Sequence, residues 1–314
     1  MRAAVLTAPG RVRIEDVATP DPGHDEVLIH VEGSGICGSD LAVYGGRPWF
    51  DYPRPAGAPG HEIWGRVTAA GPGVPDGRVG QRAVALSYNG FAEFDVAHVD
   101  HLVPFPRDHA GAFPGEAVGC AMNVFERSGI GRGDTVAVVG VGFIGALLVQ
   151  RAAACGSTVI AITRRRFALD LAQRCGAKHV IGLTDDPYDV VAELTGGHMC
   201  DVVIEAAGRQ STLDLAASLV KVRGRLVVAG YHQDGARTVD MQSWNWRGID
   251  VVNAHERDPS IYVRGMKSAV AAVTGRMLDL PALITHSVPL HDIGRAFDLA
   301  LERPDGFLKA VVRP

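Results

Sequence analysis

A glycine-rich segment near the middle of the chain has residue types that can hold a phosphate. Gly140-Val-Gly-Phe-Ile-Gly145 fits the pattern G-x-G-x-x-G and lies between an apolar strand-like run and an apolar helical run. In such a turn the first glycine permits a tight bend, the second lets the backbone approach a pyrophosphate, and the third lets helix and strand pack closely. The free N–H groups of the helix start then face the phosphates. We therefore predict a dinucleotide site that includes Gly140, Gly142, Phe143, Ile144 and Gly145.

The end of the next strand indicates which dinucleotide is bound. An NAD site usually has an acidic residue about 20 residues after the glycines, whereas an NADP site has cations there. This strand ends in Thr163-Arg-Arg-Arg166, without a carboxylate. The arginines could be a solvated helix start, but a helix N-terminus is unfavourable for cations unless an anion joins them. We expect NADP to be preferred over NAD and to contact Thr163, Arg164, Arg165 and, at the edge where ligands of such sheets bind, Tyr231.

Three other segments carry side chains that can do chemistry. Taken alone, each has an ordinary interpretation, because Cys37 could be a small core residue, His61 a turn histidine and Glu116 a solvated acid. The segments are Gly35-Ile-Cys-Gly-Ser-Asp40, Gly60-His-Glu62 and Pro114-Gly-Glu116.

Together these segments resemble the zinc-dependent alcohol and polyol dehydrogenase branch of the medium-chain dehydrogenase/reductase superfamily, which includes sorbitol and threonine dehydrogenases. They follow the family's order, and Glu116 precedes Gly140 by 24 residues, a spacing that family members show. The resemblance implies a β-rich, GroES-like barrel as catalytic domain and a doubly wound parallel sheet (Rossmann fold) as nucleotide domain, an α/β protein overall. It extends over nearly the whole chain, through Gly90-Phe-Ala-Glu93, Gly133-Asp-Thr-Val136 and Lys309-Ala-Val-Val312.

The resemblance also implies the ligands of one catalytic zinc ion. Cys37 and His61 match the family's thiolate and imidazole ligands. Glu62 and Glu116 both match positions that approach zinc in polyol dehydrogenases, so the identity of the carboxylate ligand stays open. Three protein ligands and one open position are what a catalytic zinc needs to bind a substrate oxygen. The zinc then acts as a Lewis acid, and the nicotinamide supplies the redox chemistry.

The resemblance further implies a route for the substrate proton. Ser39 matches the family's hydroxyl residue, and Asp40 could orient His61. Many relatives end the relay at a histidine, whose place is taken here by Ala42. The relay must then end at water, at a ribose hydroxyl of the cofactor, or at another side chain such as Tyr44. The predicted catalytic residues are Cys37, Ser39, His61 and Glu62.

One lobe of the longer relatives is missing. That lobe binds a structural zinc through four closely spaced cysteines, but here only Ser87-Tyr-Asn89 fills its place, and no cysteine lies between Cys37 and Cys120. We expect one zinc per chain. Because the lobe often contributes to subunit contacts, the protein could be a homodimer or a homotetramer, with a dimer through the nucleotide-domain sheet as the default.

The substrate residues are less well indicated. Trp49, Phe50 and Phe91 could line the pocket, although aromatic residues are more often part of a core. His232 follows Tyr231 at the ligand-binding edge of the sheet. A polar and aromatic cluster could bind a polyol, sugar or cyclitol, or could stabilise an interface instead. Its members are Trp244, Trp246, His255 and Glu256.

The expected activity is hydride transfer between a primary or secondary alcohol and NADP(H), which interconverts the alcohol and an aldehyde or ketone, with polyols, sugars or cyclitols favoured. Two rival functions remain. One is a zinc-free quinone or enoyl reductase of the same superfamily, which would not need Cys37, His61 and Glu62. The other is a non-catalytic nucleotide-binding protein.

The elements that must position these residues fall into two regions of the chain, which differ in composition and in the pattern of apolar residues. Up to about residue 115 the chain is rich in Gly and Pro with short β-like runs, which indicates a β-rich barrel. From about residue 118, apolar strands alternate with helices, which indicates a parallel sheet covered on both faces. A helical stretch at about Val270 to Leu280 and two β-like runs follow. We predict a catalytic domain at 1–117, a nucleotide domain at 118–258 and a return to the catalytic domain at 259–314.

Composition limits the partners. The 31 basic and 35 acidic residues give a net charge of −4 without a block of like charges, so we expect small molecules rather than nucleic acid or a membrane surface. No apolar stretch approaches the roughly 18 residues of a membrane span, and the run Ala3–Leu6 is too short for a signal peptide. We expect a cytoplasmic protein. The five cysteines form no C-x-x-C pair, so a disulfide framework is not expected.

Overall fold

The computed structural model describes all 314 residues. The strands are β1 (Arg2–Ala8), β2 (Arg11–Asp16), β3 (Glu26–Gly35), β4 (Glu62–Ala70), β5 (Arg82–Ala85), β6 (Phe94–His98), β7 (Leu102–Pro104), β8 (Thr135–Val139), β9 (Thr158–Thr163), β10 (His179–Gly182), β11 (Cys200–Glu205), β12 (Val220–Val228), β13 (Asp250–Asn253), β14 (His286–Pro289) and β15 (Ala310–Arg313). The helices are α1 (Asp40–Tyr44), α2 (Gly115–Ser128), α3 (Phe143–Cys155), α4 (Arg166–Arg174), α5 (Pro187–Leu194), α6 (Gln210–Ser218), α7 (Met241–Arg247), α8 (Pro259–Thr274) and α9 (Ile293–Glu302). None of these nine helices combines the length and apolar composition that crossing a bilayer would require.

The chain divides into two compact units. Unit 1 contains Met1–Cys120 and Arg257–Pro314, and unit 2 contains Ala121–Glu256. All five cysteines are free thiols.

Unit 1 is built on a seven-stranded sheet. Six strands follow the order β14-β15-β3-β4-β5-β7, and β6 pairs with β3. The C-terminal strand belongs to this sheet, because Val311 pairs with Gly35 of β3. Alternate residues of β3 and β4 are buried in one apolar cluster that includes Val27, Ile29 and Ile63. A second cluster packs α9 against the N-terminal strand and Phe91.

Unit 2 is a parallel sheet with the strand order β10-β9-β8-β11-β12-β13. Numbered within the unit, this is the order 3-2-1-4-5-6 of the doubly wound nucleotide-binding fold. The central strands are fully apolar, since Val136 to Val139 are all 0% exposed, as expected for a sheet covered on both faces. The predicted fold class, a β-rich domain with a doubly wound parallel sheet, is confirmed.

One helix boundary was predicted wrongly. The helix expected at about Val270 to Leu280 is α8, which starts at Pro259 and ends at Thr274. Its start is set by Asp258, whose side chain accepts the Ser260 N–H, and by Pro259 in the first turn. Gly275 then ends the helix, so the apolar residues after it lie in an irregular segment.

Candidate metal centre and nucleotide site

Three predicted metal ligands come together in unit 1. The ligand atoms of Cys37, His61 and Glu62 all lie within 4.8 Å of one another. Cys37 follows the end of β3, and Glu62 begins β4, which pairs with β3 through Gly35 and Glu62. The antiparallel pairing of two strands therefore brings the thiol and the carboxylate together across 25 residues of sequence.

His61 is held with one ring nitrogen turned away from the cluster. Its Nδ1 lies 2.8 Å from the carbonyl oxygen of Pro59 and 3.3 Å from Oδ1 of Asp40. A carbonyl oxygen only accepts, so Nδ1 carries the proton and Nε2 is left as the metal-ligating atom. Asp40, buried beside it, also accepts the backbone N–H of Cys37 at 2.8 Å. The expectation that Asp40 lies beside His61 therefore agrees with the geometry.

The surroundings of His61 are strongly anionic. Burial by itself would lower the pKa of His61, but the charges of Asp40 and Cys37 outweigh it and raise this pKa well above its ordinary value. The same charges would stabilise a bound divalent cation.

The two candidate carboxylates differ in their partners. Glu62 is 1% exposed and is clamped by Lys309, whose Nζ lies 2.7 Å from Oε1 and 2.6 Å from Oε2. Glu116, in the first turn of α2, lies outside the three-residue group and accepts a hydrogen bond from the Cys120 thiol at 3.1 Å. Burial raises the pKa of Glu116, and nearby His61 opposes that rise.

Two residues of this centre were not predicted from the sequence. Lys309 on the segment that leads into β15 donates to the carbonyl of Ile36 at 2.8 Å in addition to Glu62, and it is buried. Cys120 lies beside Glu116, and burial raises the pKa of its thiol well above the ordinary value. For Lys309 a signal existed, because a lysine within the apolar run Phe307 to Val312 is expected to be paired.

The structure distinguishes the two candidates for the proton relay, Ser39 and Tyr44. The Ser39 hydroxyl makes no hydrogen bond within the chain and is only partly buried. Tyr44, by contrast, donates its hydroxyl proton to Asp298 at 3.0 Å and stacks on Phe297. Burial and Asp298 raise the pKa of Tyr44 to about 12. The suggestion that Tyr44 ends the relay is therefore wrong, because its proton is held in a core contact.

The aromatic residues predicted to contact substrate also differ in their surroundings. Phe91 is fully buried and packs edge-on against Phe297, so its assignment to the pocket is wrong. Phe50 packs on the same cluster, whereas Trp49 is 57% exposed. In unit 2, Trp244 packs against the apolar core, whereas Trp246 is 90% exposed. These two side chains therefore do not form one stacking surface.

The glycine motif forms an open cradle at the start of α3. Gly140 has φ +103° and packs so closely that a Cβ would lie 2.9 Å from the Cβ of Ala207. Gly142 precedes the first helical residue, and a Cβ there would meet nothing within 4 Å. The helix begins inside the motif, so Phe143, Ile144 and Gly145 present their N–H groups at its N-terminus.

The residues predicted to select the cofactor lie at the end of β9. Thr163 is the buried last residue of the strand. Arg164 is exposed and makes no ion pair, Arg165 precedes the first residue of α4, and Arg166 pairs with Asp170 on the same helix at 3.3 Å. Tyr231 follows β12 and is 47% exposed.

Comparisons with known proteins agree with this architecture. The family described as alcohol dehydrogenase GroES-like domain matches residues 23–107, and the family described as zinc-binding dehydrogenase matches residues 144–270. An erythritol/L-threitol dehydrogenase from Mycolicibacterium smegmatis is 30% identical over 348 aligned residues, covering 95% of this chain and 94% of the relative. An alcohol dehydrogenase from Cupriavidus necator is 28% identical over 370 aligned residues, covering 100% and 99%.

A crystal structure of a protein from Sinorhizobium meliloti 1021 bound to NADP has a TM-score of 0.89 and 26% identity, covering 100% of this chain and 99% of that one. The full-length matches confirm the predicted resemblance. The chain therefore belongs to the zinc-binding alcohol dehydrogenases of the medium-chain dehydrogenase/reductase superfamily, in the polyol dehydrogenase branch, whose enzymes act on CH–OH groups.

Proposed function

We propose that the protein transfers a hydride between a primary or secondary alcohol and NADP(H), using one zinc ion per chain bound by Cys37, His61 and Glu62. The observation that carries this proposal is the convergence of the three ligand atoms within 4.8 Å. Thiolate, imidazole and carboxylate are all ligands that zinc accepts, and three protein ligands leave one position for substrate. Glu116 is the alternative carboxylate. Unit 1 is then the catalytic domain, and unit 2 is the nucleotide domain.

The chain's own residues supply orientation and proton transfer. Asp40 and the Pro59 carbonyl keep the proton of His61 on Nδ1, which keeps Nε2 free for the metal. The Ser39 hydroxyl, which has no partner within the chain, is available to accept the alcohol proton and pass it to water. When bound, zinc supplies Lewis-acid polarisation of the substrate oxygen, and nicotinamide supplies the hydride acceptor or donor.

Metal analysis tests the proposal most directly. Protein purified, stripped with a chelator and reloaded should contain about one zinc per chain by mass spectrometry. Cys37→Ala and His61→Ala should lose the zinc but still bind NADPH, whereas Cys155→Ala, a thiol of unit 2, should retain it. Glu62→Gln should weaken zinc binding more than Glu116→Gln does. A wild-type protein without zinc would contradict the proposal and favour a zinc-free reductase or a non-catalytic nucleotide-binding protein.

We also propose that NADP is preferred. The support is the exposed, unpaired Arg164, the absence of an acid after β9, and a relative of known structure that holds NADP. Replacing Arg164 and Arg165 with Ala should raise the KM for NADP about tenfold or more and leave the KM for NAD nearly unchanged. Arg166→Ala is the matched control, because that guanidinium already pairs with Asp170. An unchanged NADP/NAD ratio would contradict the cofactor assignment.

The substrate class we propose is a polyol, sugar or cyclitol. The support is the relative named for its action on erythritol and L-threitol, together with the exposed Trp49 in the loop after α1. A spectrophotometric screen of alcohols, polyols and cyclitols with NADP, and of the matching carbonyls with NADPH, would identify the class. We further propose a homodimer, which light scattering would distinguish from a tetramer or a monomer.

A further inference from the structure

The proposed nucleotide domain contains a buried carboxylate that no sequence motif singled out. Glu205 is the last residue of β11, the strand that lies between β8 and β12 in the sheet. Its side chain is 0% exposed. A fully buried carboxylate is retained only when hydrogen bonds and a compensating charge replace its hydration.

Those partners come from the loop after β11, the first turn of α6 and the loop after β12. Oε1 accepts the N–H groups of Ala207 at 2.9 Å and Gly208 at 2.8 Å, and the hydroxyl of Thr212 at 2.7 Å. Oε2 lies 2.8 Å from Nε2 of His232, in the loop that follows β12. One carboxylate therefore connects the loop after β11 to the loop after β12.

The contacts around Glu205 also support the glycine motif. A Cβ at Gly140 would lie 2.9 Å from the Cβ of Ala207, so the motif packs directly on the loop that Glu205 holds. A Cβ at Gly208 would lie 2.8 Å from the carbonyl oxygen of Tyr231. Three loops of unit 2 that face the same edge are thus in close contact around Glu205.

The hydrogen bonds that join Arg237, His232 and Glu205 all have the same donor-to-acceptor direction. Nε of Arg237 lies 2.9 Å from Nδ1 of His232, and a guanidinium only donates. Nδ1 must therefore accept, so the imidazole proton is on Nε2, which donates to Glu205. Arg237 also donates to the carbonyl of Gly208 at 3.1 Å and pairs with Asp234. Arg237 thus reaches Glu205 only through His232, while its own charge is paired with Asp234.

We propose that Glu205, His232 and Arg237 are positioning residues for the dinucleotide. They fix the relative placement of the glycine motif and the two loops beside it, through a chain of donors that runs from Arg237 to His232 to Glu205. The inference rests on the proposed function only in taking this edge as the NADP(H) site.

The direction of the chain gives a specific test. In Glu205→Gln the amide can still accept the loop N–H groups through its oxygen, but its NH₂ group then faces Nε2 of His232. The histidine must accept there and move its proton to Nδ1, where it opposes the N–H of Arg237. In Glu205→Gln/Arg237→Gln the amide oxygen introduced at position 237 can accept that proton. The double variant should therefore bind better than the single one, which a merely structural role does not predict.

The experiment is a fluorescence titration of the zinc-loaded protein with NADPH, with thermal unfolding as a check of folding. We expect Glu205→Gln to raise the Kd about tenfold, and the double variant to return to within about threefold of wild type. Arg237→Gln alone should change Kd by less than about threefold, since the substituted amide can still donate. The KM for NADP should follow the Kd, and the KM for the alcohol should not change.

An unchanged Kd in a folded Glu205→Gln protein, or a double variant that binds no better than the single one, would overturn the inference. If Glu205→Gln does not fold, Arg237→Met, near the surface, replaces it and should raise the Kd several-fold; an unchanged Kd there would also overturn it. A wild-type protein that binds neither NADPH nor NADH would instead refute the proposed function, so the two failures can be told apart.

Discussion

Replacing Lys309 in unit 1 should cause a loss of folding stability whose size can be worked out from its contacts. Its ammonium donates to the Ile36 carbonyl at 2.8 Å and contacts both oxygens of Glu62, and both side chains are almost completely buried. Lys309→Met keeps most of the apolar stem and removes the ammonium group, with both its charge and its N–H donors. The variant leaves a buried carboxylate and a buried carbonyl without their donor.

The expected cost follows from burial. Removing one partner of a buried ion pair costs about 3–5 kcal/mol, because the remaining charge is left in a region of low polarity. For a unit of about 150–250 residues, each kcal/mol lowers Tm by about 2–4 °C, so we expect a fall of roughly 6–20 °C in the zinc-free protein. Glu62→Gln/Lys309→Met should recover part of this loss, because an unpaired amide is less costly to bury than an unpaired carboxylate.

The measurements are thermal unfolding, which gives Tm, and urea unfolding, which gives the free energy of unfolding, of the zinc-free protein with a probe in unit 1. Lys267→Met is the matched control, because Lys267 lies exposed on α8 and forms no ion pair. Adding zinc should reduce the difference between Lys309→Met and wild type if Glu62 is a metal ligand, because the metal then replaces the ammonium. A Lys309→Met protein within about 1 kcal/mol of wild type would refute the reasoning, since the loss expected from a broken buried pair is larger.

Two further substitutions test single contacts. Gly35→Ala would place a Cβ on top of Oε2 of Glu62, so we expect zinc content to fall well below that of wild type in the purified protein; full zinc occupancy would argue against Glu62 as ligand. Tyr44→Phe should cost about 1 kcal/mol by loss of the bond to Asp298 and leave the pH profile of kcat unchanged. A displaced pH profile would return Tyr44 to the proton relay.

The amino-acid sequence by itself determined the parts of this protein that depend on neighbouring residues. The glycine motif was recognisable because a strand, a turn and a helix start are contiguous, and their function needs backbone groups more than particular side chains. The apolar patterns of the two regions of the chain predicted the β-rich domain and the doubly wound parallel sheet, because the period of apolar residues follows from the local geometry of strands and helices. The segments around Cys37, His61 and Glu116 were identifiable only together, through their resemblance to the zinc-dependent dehydrogenases.

Only the tertiary structure decided the contacts between residues far apart in the chain. Lys309 meets Glu62 across 247 residues because β15 and β4 flank β3 in one sheet, and this pairing distinguishes Glu62 from Glu116. Tyr44 and Phe91 looked like site residues but pack in the core around Phe297, since an aromatic side chain has the same sequence signature in a pocket and in a core. The partner of a buried charged side chain depends on three-dimensional packing, which local sequence patterns do not encode.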